Sequence, residues 1–378
     1  MNFINTYKQG QSGYNVGRTT GIPELDIATR GTKRKMSIGL AAATKCGKTT
    51  FVDYGYVLSP YLAAEKKGDL ENLDWMYNSY EIDRVSKEFK FAAFFMAHDY
   101  GVYDFTYRGQ TYTMCSDYLM GGMSWKDNPK NIEEEPKLIP VSKEHHDMIR
   151  EIYQRRIVPL FGEWGEKNTL ITPGKITFYD EATNPTGANK QLIEYAAKRG
   201  TFTSKTYTVT HSNNRKETIT KHEKYTPNNP NLLSLIITDH IRKFLPEQGF
   251  NKKETIDKWL EYTTAARNML EFSFVNICHS NRGVSNVERL RASGEFIYPT
   301  SDDVKDTGNL AEESTMLITL FFPGDEKYNL KKHFGVELDD NPNYRSIHIT
   351  ESRNTEAPVH IRARMLGGVN MWLPFNEY

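Results

Sequence analysis

The stretch "AAATKCGKTT", residues 41–50, has the residue types of a phosphate-binding loop, because Gly-Lys-Thr follows an apolar run. In such a loop, backbone N–H groups and the amino terminus of the next helix bind phosphate oxygens. Lys48 would reach the β- and γ-phosphates of ATP, and Thr49 would hold Mg²⁺. The usual pattern begins with glycine where Ala42 stands, but a small residue satisfies that position. The residues predicted to contact the nucleotide are Ala42, Lys45, Cys46, Gly47, Lys48, Thr49 and Thr50.

Two carboxylates stand at the ends of apolar strands and are candidates for the same chemistry. Asp239 closes "LLSLIITDH", residues 232–240, and an Asp in that position organises Mg²⁺ in phosphate-loop ATPases. The alternative is an Asp that caps the following helix. Glu81 closes "LDWMYNSYE", residues 73–81, where a carboxylate could polarise the attacking water. The alternative is a solvent-exposed glutamate at a strand end, and spacing alone does not choose between the two.

The elements that would position these residues are continuous apolar strands separated by helices. A strand over Ser37–Ala41, a loop over Ala42–Gly47 and a helix from Lys48 give the phosphate-binding loop its required setting. Unalternating apolar strands with helices between them predict an α/β fold, with a mainly parallel sheet covered on both faces. The other predicted strands lie in 73–81, 175–182, 232–240, 273–281, 314–322 and 345–352, with a closing hairpin in 360–375 and helices in 82–98, 142–161, 189–200 and 257–272.

Two segments have the alternating pattern of β-hairpins instead. Residues 102–114 alternate aromatic and polar residues about Arg108-Gly109, and residues 205–225 do so about Asn213-Asn214. We expect both to be insertions on the surface of the α/β core. The predicted organisation is a polar arm over 1–17 that could reach a neighbouring subunit, then one domain over 18–378 with insertions at about 100–170 and 200–228.

The composition excludes several classes of protein. Lys and Arg total 48, as do Asp and Glu, so a nucleic-acid site must be a local patch. The three cysteines, Cys46, Cys115 and Cys278, are too far apart to form a metal motif or a disulfide framework, which favours a reducing, cytoplasmic setting. No apolar run approaches the roughly 20 residues of a membrane helix, and no signal-peptide core begins the chain.

Several motifs resemble the ATPase domain of DnaB-type replicative helicases, in the RecA-like superfamily. "TTGIPELDIATRGTKRKMSIGLAAATKCGKTTF" resembles the opening of that domain, whose loop typically begins with Ala, as Ala42 does. "NSYEID" resembles the segment with the catalytic glutamate, which falls on Glu81. "LIITDHI" is similar to the metal-site strand, which places Asp239 at the metal. The family has an aromatic residue after this Asp, and the chain has His240.

The resemblance continues towards the carboxyl end. "VNICHSNRGV" resembles the phosphate-sensing segment, with His279 where the family has glutamine. "IHITESRNTEAP" resembles the segment with the lysine and arginine fingers: Arg353 lies on the arginine, and Glu351 replaces the lysine. The resemblance therefore assigns catalytic roles to Lys48, Glu81, His279 and Arg353.

A further segment, "DDVKDTGNLAEEST", is similar to the family's loop that tracks single-stranded DNA. The resemblance places Lys305, Asp306 and Gly308 near the DNA phosphates. Arg282, Arg289 and Arg291 lie close to this loop in sequence, and we include Arg282 among the DNA-binding candidates. For Arg289 and Arg291, a DNA contact and a solvated loop remain equal alternatives. Together the motifs run in family order from about residue 18 to 375, with the two hairpin regions unmatched.

The resemblance implies a RecA-like ATPase that uses ATP and Mg²⁺, forms a hexameric ring around single-stranded DNA and moves 5′ to 3′. It also implies a primase or a loader as partner. The compact motor resembles a phage-encoded version acting in the bacterial host cytoplasm. Two other functions remain open: a RecA-like recombinase that forms filaments on DNA, and a virion or regulatory assembly ATPase with low turnover. Glu351 and His279 are the features that keep the last of these open.

Overall fold

In a computed structural model of the protein, the residues described are 3–11, 13–126, 130, 133–210, 216–280, 284, 286–307 and 309–375, without the side chains of 5, 6, 217, 219, 287 and 305–307. The strands are β1 (Ser37–Ala42), β2 (Leu73–Ser79), β3 (Asp104–Tyr107), β4 (Gln110–Thr113), β5 (Ser124–Trp125), β6 (Lys137–Leu138), β7 (Glu163–Gly165), β8 (Thr169–Thr172), β9 (Ile176–Tyr179), β10 (Gly200–Thr210), β11 (Lys216–Pro227), β12 (Leu233–Asp239), β13 (Ser273–His279), β14 (Met316–Phe321), β15 (Lys332–His333), β16 (Val336–Glu337), β17 (Tyr344–Ser352), β18 (Val359–Leu366) and β19 (Met371–Pro374).

The helices surround these strands, and many begin with a residue that caps their free N–H groups. Asn251, for example, forms a capping box with Glu254 at the start of its helix. The α-helices are α1 (Phe3–Gln11), α2 (Pro23–Thr29), α3 (Lys48–Val52), α4 (Ser59–Lys67), α5 (Arg84–Tyr100), α6 (Ser116–Leu119), α7 (Lys143–Ile152), α8 (Val158–Phe161), α9 (Pro185–Ala197), α10 (Lys252–Leu270), α11 (Val287–Ser293) and α12 (Leu310–Glu313). A π-helical segment, Asp53–Leu58, joins α3 to α4, and a second, Tyr153–Ile157, joins α7 to α8.

A central sheet of nine described strands organises the molecule, in the order β19-β18-β17-β14-β1-β13-β12-β2-β9. The strands from β14 to β9 are parallel to their neighbours, and β17, β18 and β19 continue the sheet in antiparallel fashion. Every residue of β1, β2, β12 and β14 is buried, which explains their unbroken apolar sequences. The predicted mainly parallel α/β fold is confirmed.

Helices cover both faces of this sheet. On one face, aromatic and aliphatic residues of α4 and α5 pack on β1, β2 and β12. On the other face, α9 and α10 pack on the opposite side chains of the same sheet. Buried tryptophans anchor the two layers: Trp75 donates a hydrogen bond to the carbonyl of Tyr56 (2.7 Å), and Trp259 donates one to Asn276 (2.9 Å). Alternate residues of each strand thus face different layers, and this fixes the register of the strands.

The two predicted hairpins are present and lie outside the central sheet. The first is β3–β4, with Arg108 and Gly109 both at positive φ, as a two-residue turn requires. The second is β10–β11, and its predicted turn, Asn213-Asn214, lies outside the described residues. The amino-terminal segment contains α1, a helix that the sequence did not predict. Within the described part of the chain, no helix combines the length and the apolar character needed to cross a lipid bilayer.

Candidate nucleotide site

The candidate site lies at the carboxyl edge of four parallel strands. The strands β1, β13, β12 and β2 are neighbours in the sheet, so the residues that follow them converge at one edge. In register, Ala42 stands opposite His279, and Asp239 stands opposite Ser79, two residues before Glu81. The carboxyl edge of an open α/β sheet is where such folds bind ligands. Topology thus brings together residues that are about 200 positions apart in the chain.

The phosphate-binding loop connects β1 to α3, and its conformation depends on Gly47. Gly47 is the residue before the helix and has φ of 86°, a left-handed conformation that favours glycine. A Cβ atom at this position would lie 2.1 Å from the sulfur of Met365 on β18. Gly47 is therefore required both by the backbone and by the strands that pack against the loop. Ala42 is the last residue of β1, one residue later than predicted, and is fully buried.

The ammonium group of Lys48 points back into the loop. It donates hydrogen bonds to the carbonyls of Ala42 (3.2 Å) and Ala43 (3.1 Å), and it lies 3.1 Å from Nδ1 of His279. The side chain is 8% exposed. Burial lowers the pKa of Lys48, and the nearby acidic groups, Asp239 and Glu81 among them, oppose that shift. Lys48 is thus a buried cation at the amino end of a helix, in the place a phosphate would require.

Thr49 and Asp239 form the oxygen pair of the site. The Thr49 hydroxyl donates a hydrogen bond of 2.7 Å to the Asp239 carboxylate, which is 1% exposed. Burial raises the pKa of Asp239, while the charge of Lys87 and the hydrogen bond from Thr49 act in the opposite direction. A hydroxyl and a carboxylate are the hard oxygen ligands that Mg²⁺ prefers. The donor set therefore fits the predicted Mg²⁺ site, and the two predicted metal residues are adjacent.

Glu81 lies at the rim of the same edge and is held by two basic side chains. Its Oε1 atom is 3.1 Å from Nε2 of His240 and 3.6 Å from the ammonium of Lys243. The Glu81 side chain is 33% exposed, whereas that of His240 is 4% exposed. Burial lowers the pKa of His240 to about 4, with Glu81 opposing the shift. Sequence reasoning noted His240 as a departure from the family and did not place it in the site.

His279 joins the loop to this rim. Its Nδ1 atom is the one near Lys48, and its ring packs edge-on against that of His240, with centroids 4.6 Å apart. Burial lowers the pKa of His279, and the Lys48 charge adds to this effect. One possible ligand atom from each of Glu81, His240 and His279 lies within 4.8 Å of the others.

The hydrogen bonds of the two rings nevertheless favour proton donation over metal binding. An ammonium can only donate, so Nδ1 of His279 accepts from Lys48. Nδ1 of His240 accepts from the backbone N–H of Arg242 (3.2 Å). A neutral imidazole that accepts at Nδ1 carries its proton on Nε2, and that nitrogen has no lone pair free for a metal ion. Both rings therefore offer N–H donors.

A fully buried polar cluster ties the helix after the loop to the elements around Glu81. Lys87 of α5 donates to both carboxylate oxygens of Asp53 (3.0 and 3.1 Å), and the side chains of this pair are 0% exposed. The Tyr77 hydroxyl of β2 donates to the same carboxylate (2.8 Å), and Asn370 approaches it at 3.4 Å. The cluster fixes the loop helix relative to the strand and helix that flank Glu81. No sequence pattern indicates this pairing.

Arg353 lies far from the phosphate-binding loop of its own chain. Ser352, the residue before it, pairs with Met316 at the amino-terminal end of β14, and Met316 pairs with Ile38 of β1. The loop begins after Ala42, four residues further along β1, or roughly 13 Å at the usual rise. The exposed guanidinium of Arg353 donates to the carbonyl of Glu312. Glu351 is exposed beside it.

The remaining nucleotide candidates surround the loop. Lys45 is exposed and has φ of 66°, Cys46 is 3% exposed, and Thr50 lies half-buried in the first turn of α3. Burial raises the pKa of the Cys46 thiol, so it is neutral and can contribute packing or its backbone N–H, but not a charge. Their assignment to the nucleotide remains a prediction.

The DNA-binding candidates are only partly within the described residues. Arg282 and Gly308 lie outside them, and so do the side chains of Lys305 and Asp306, whose backbone belongs to a 3-10 helix over Ser301–Thr307. The two arginines left open by the sequence differ. Arg289 pairs with the buried Asp303 (2.8 and 2.9 Å) and so braces α11 against this helix, whereas Arg291 is exposed.

Comparisons with known proteins concern this same arrangement of strands and site. No protein-family model matches the sequence, and no curated protein matches it. Solved structures do match: the ATPase domain of a helicase, with a TM-score of 0.62 and 12% identity, aligns over 99% of this chain and 97% of its own. The chain has the RecA-like fold of a DnaB-type helicase ATPase domain. A DnaB-like replicative helicase, described with its interactions with primase, matches at a TM-score of 0.60 and 13% identity, over 99% of this chain and 66% of that one.

Identity this low means that the shared property is the RecA-like fold, and the chemistry must be argued from the residues. The structure brings Lys48, Thr49, Asp239, Glu81 and His279 to one edge of the sheet. It places Arg353 at the other edge. The DnaB-type fold that the motif order implied is thus confirmed, while the role of each residue stays a prediction.

Proposed function

We propose that the protein is an ATP-dependent DNA helicase motor that translocates on single-stranded DNA as a ring. The observation that carries this proposal is the split between the two edges of the sheet. Lys48, Thr49, Asp239 and Glu81 lie at one edge, and Arg353 lies at the opposite edge. A site that uses an arginine finger is therefore complete only when a second copy supplies the arginine.

Association of this kind joins one edge of a copy to the other edge of the next. Such a head-to-tail contact closes into a ring or continues as a filament. The fold similarity to a helicase ATPase domain and to a DnaB-like replicative helicase favours the ring, and we propose a hexamer. The 5′ to 3′ direction, the primase or loader partner and the phage origin are proposals that rest on the family resemblance alone.

Each residue at the loop edge has a defined task in hydrolysis. The loop N–H groups and Lys48 bind the phosphates, and Thr49 and Asp239 would hold Mg²⁺, which neutralises charge on the phosphate oxygens. Glu81 accepts a proton from water as the water oxygen bonds to the γ-phosphorus and the bond from that phosphorus to ADP breaks. The Nε2–H of His279 can donate to the γ-phosphate, as the amide of the family's glutamine would.

The first experiment measures ATP hydrolysis with and without single-stranded DNA, and unwinding of a forked duplex. We expect DNA-stimulated hydrolysis and unwinding in the wild type. Lys48→Ala should lose both nucleotide binding and turnover, whereas Glu81→Gln should bind ATP and lose turnover. Lys66→Ala, which removes an exposed lysine of α4, is the matched control and should behave as the wild type. Normal turnover by Glu81→Gln would show that the catalytic assignment is wrong.

The second experiment tests whether Arg353 acts on a neighbouring copy. Lys48→Ala and Arg353→Ala should each be inactive, because one lacks the loop lysine and the other lacks the finger. In a one-to-one mixture, about a quarter of the contacts pair an intact loop with an intact finger, so activity should return. A mixture as inactive as its parts would contradict the shared site. Arg155→Ala, at an exposed arginine, replaces Arg353→Ala in the control mixture.

Electron microscopy with an ATP analogue and single-stranded DNA separates the alternatives. Closed rings are expected for the helicase. Continuous filaments would favour the recombinase, and hydrolysis that DNA does not stimulate would favour an assembly ATPase.

A further inference from the structure

We infer that His240 is a positioning residue that holds the catalytic carboxylate of Glu81. This inference rests on the proposed function, in which Glu81 accepts the proton of the attacking water. The carboxylate has two oxygens, and the structure gives them different surroundings. Oε1 receives His240 at 3.1 Å and Lys243 at 3.6 Å. With Oε1 held in this way, Oε2 is the oxygen that takes the proton from water.

The backbone places the two residues beside each other. Strands β2 and β12 are adjacent and parallel, with Ser79 opposite Asp239. Just beyond this pair, the backbone N–H of Tyr80 donates to the carbonyl of Asp239 at 2.8 Å. His240 and Glu81 therefore follow from one fixed point of the sheet edge. A contact built on two central strands is held more precisely than one built on loops.

The tautomer of His240 gives the contact its direction. Because Nδ1 accepts the N–H of Arg242, the single proton of the ring lies on Nε2 and points at Glu81. The ring is 4% exposed and packs edge-on against His279, which limits its rotation. A buried, oriented N–H donor facing a half-exposed carboxylate restricts the carboxylate to few rotamers. Such restriction raises turnover because the base already lies in its reactive position.

The two ring nitrogens allow an experiment that separates positioning from a structural role. Glutamine places its amide N–H where Nε2 lies, so His240→Gln keeps a donor for Glu81. Asparagine is shorter and places its amide oxygen near Nδ1, so His240→Asn keeps the acceptor for Arg242 but does not reach Glu81. If His240 positions Glu81, kcat should fall roughly 10-fold or more in His240→Asn and stay within about 3-fold in His240→Gln.

The same variants are measured for the KM of ATP and for thermal unfolding. Loss of positioning lowers kcat and leaves KM nearly unchanged, because substrate binding is made by other residues. The opposite order, with His240→Asn active and His240→Gln inactive, would show that His240 serves only as the cap of its turn and would overturn the inference. Equal, wild-type kcat in both variants would also overturn it. His98→Asn, at a largely exposed histidine of α5, is the control.

The variant Glu81→Gln distinguishes failure of this inference from failure of the proposed function. If Glu81→Gln is inactive while His240→Asn keeps the wild-type kcat, only the positioning role is wrong. If Glu81→Gln hydrolyses ATP normally, Glu81 is not the base and both proposals fall. In the double variant Glu81→Gln/His240→Asn, we expect no further loss beyond Glu81→Gln, because residues that act through one group are not additive.

Discussion

The buried pair of Lys87 and Asp53 provides a quantitative test of how the site is held together. Replacing Lys87 with Met keeps the length of the side chain and removes its charge. The Asp53 carboxylate then keeps its hydrogen bonds to Tyr77 and Asn370, at 2.8 and 3.4 Å, and loses the two contacts of 3.0 and 3.1 Å to the ammonium. Since both side chains are 0% exposed, water cannot replace what is lost.

The expected cost follows from this burial. Breaking one partner of a buried ion pair typically costs about 3–5 kcal/mol, because the remaining charge stays buried without compensation. Tyr77 still donates to the carboxylate, so we expect the lower end, about 3 kcal/mol. A chain of this length loses roughly 0.8 kcal/mol of stability per degree near its melting temperature, which converts that cost into a fall in Tm of about 4 °C.

Urea unfolding of Lys87→Met measures the change in the free energy of unfolding. The double variant Asp53→Asn/Lys87→Met should recover more than half of the loss, since no buried charge is left unpaired. Lys66→Met, at an exposed lysine, is the control and should change stability by less than about 0.5 kcal/mol. A loss below about 1 kcal/mol in Lys87→Met, or an equal loss in the double variant, would refute the reasoning.

Three further predictions concern the loop, the metal and pH. Gly47→Ala should lower ATP turnover at least roughly 10-fold, because the new Cβ would lie 2.1 Å from the Met365 sulfur at φ of 86°. Thr49→Ala should raise the Mg²⁺ concentration needed for half-maximal hydrolysis roughly 10-fold, since Asp239 loses the adjacent hydroxyl ligand. The free energy of unfolding should fall as the pH drops from 6.5 towards 4, because burial lowers the pKa of His333 to about 4 and the unfolded chain then takes up the proton first.

Each of these predictions has a matched control. Gly249 has φ of 81° and open space where a Cβ atom would be added, so Gly249→Ala carries the backbone strain alone and should leave turnover unchanged. Thr49→Ser keeps the hydroxyl and should retain the wild-type Mg²⁺ dependence. His333→Gln should flatten the acid-side fall in stability by up to about 3 kcal/mol, and an unchanged pH profile would contradict the role of this histidine.

The order and type of residues along the chain are enough to specify the fold class and the local part of the site. Unbroken apolar strands such as β12 are buried on both faces, and this property is written in each strand separately. The Gly-Lys-Thr stretch and the strand before it specify the loop and the start of α3, since both depend on neighbouring residues. The order of the motifs along the chain then identifies the DnaB-type RecA-like fold. These features are local or ordered along the chain, so a pattern can reveal them.

Which distant residues meet depends on the packing of the whole molecule. His240 contacts Glu81 because β2 and β12 are neighbours, although 159 positions separate the two residues in the chain. The pairing of Lys87 with Asp53 depends on how α5 packs against the helix after the loop. Arg353 lies at the opposite edge because β17 runs antiparallel to β14, a direction that the apolar pattern of a strand does not encode. Strand order and direction arise from packing of the whole sheet, and they convert a set of motifs into half of a shared site.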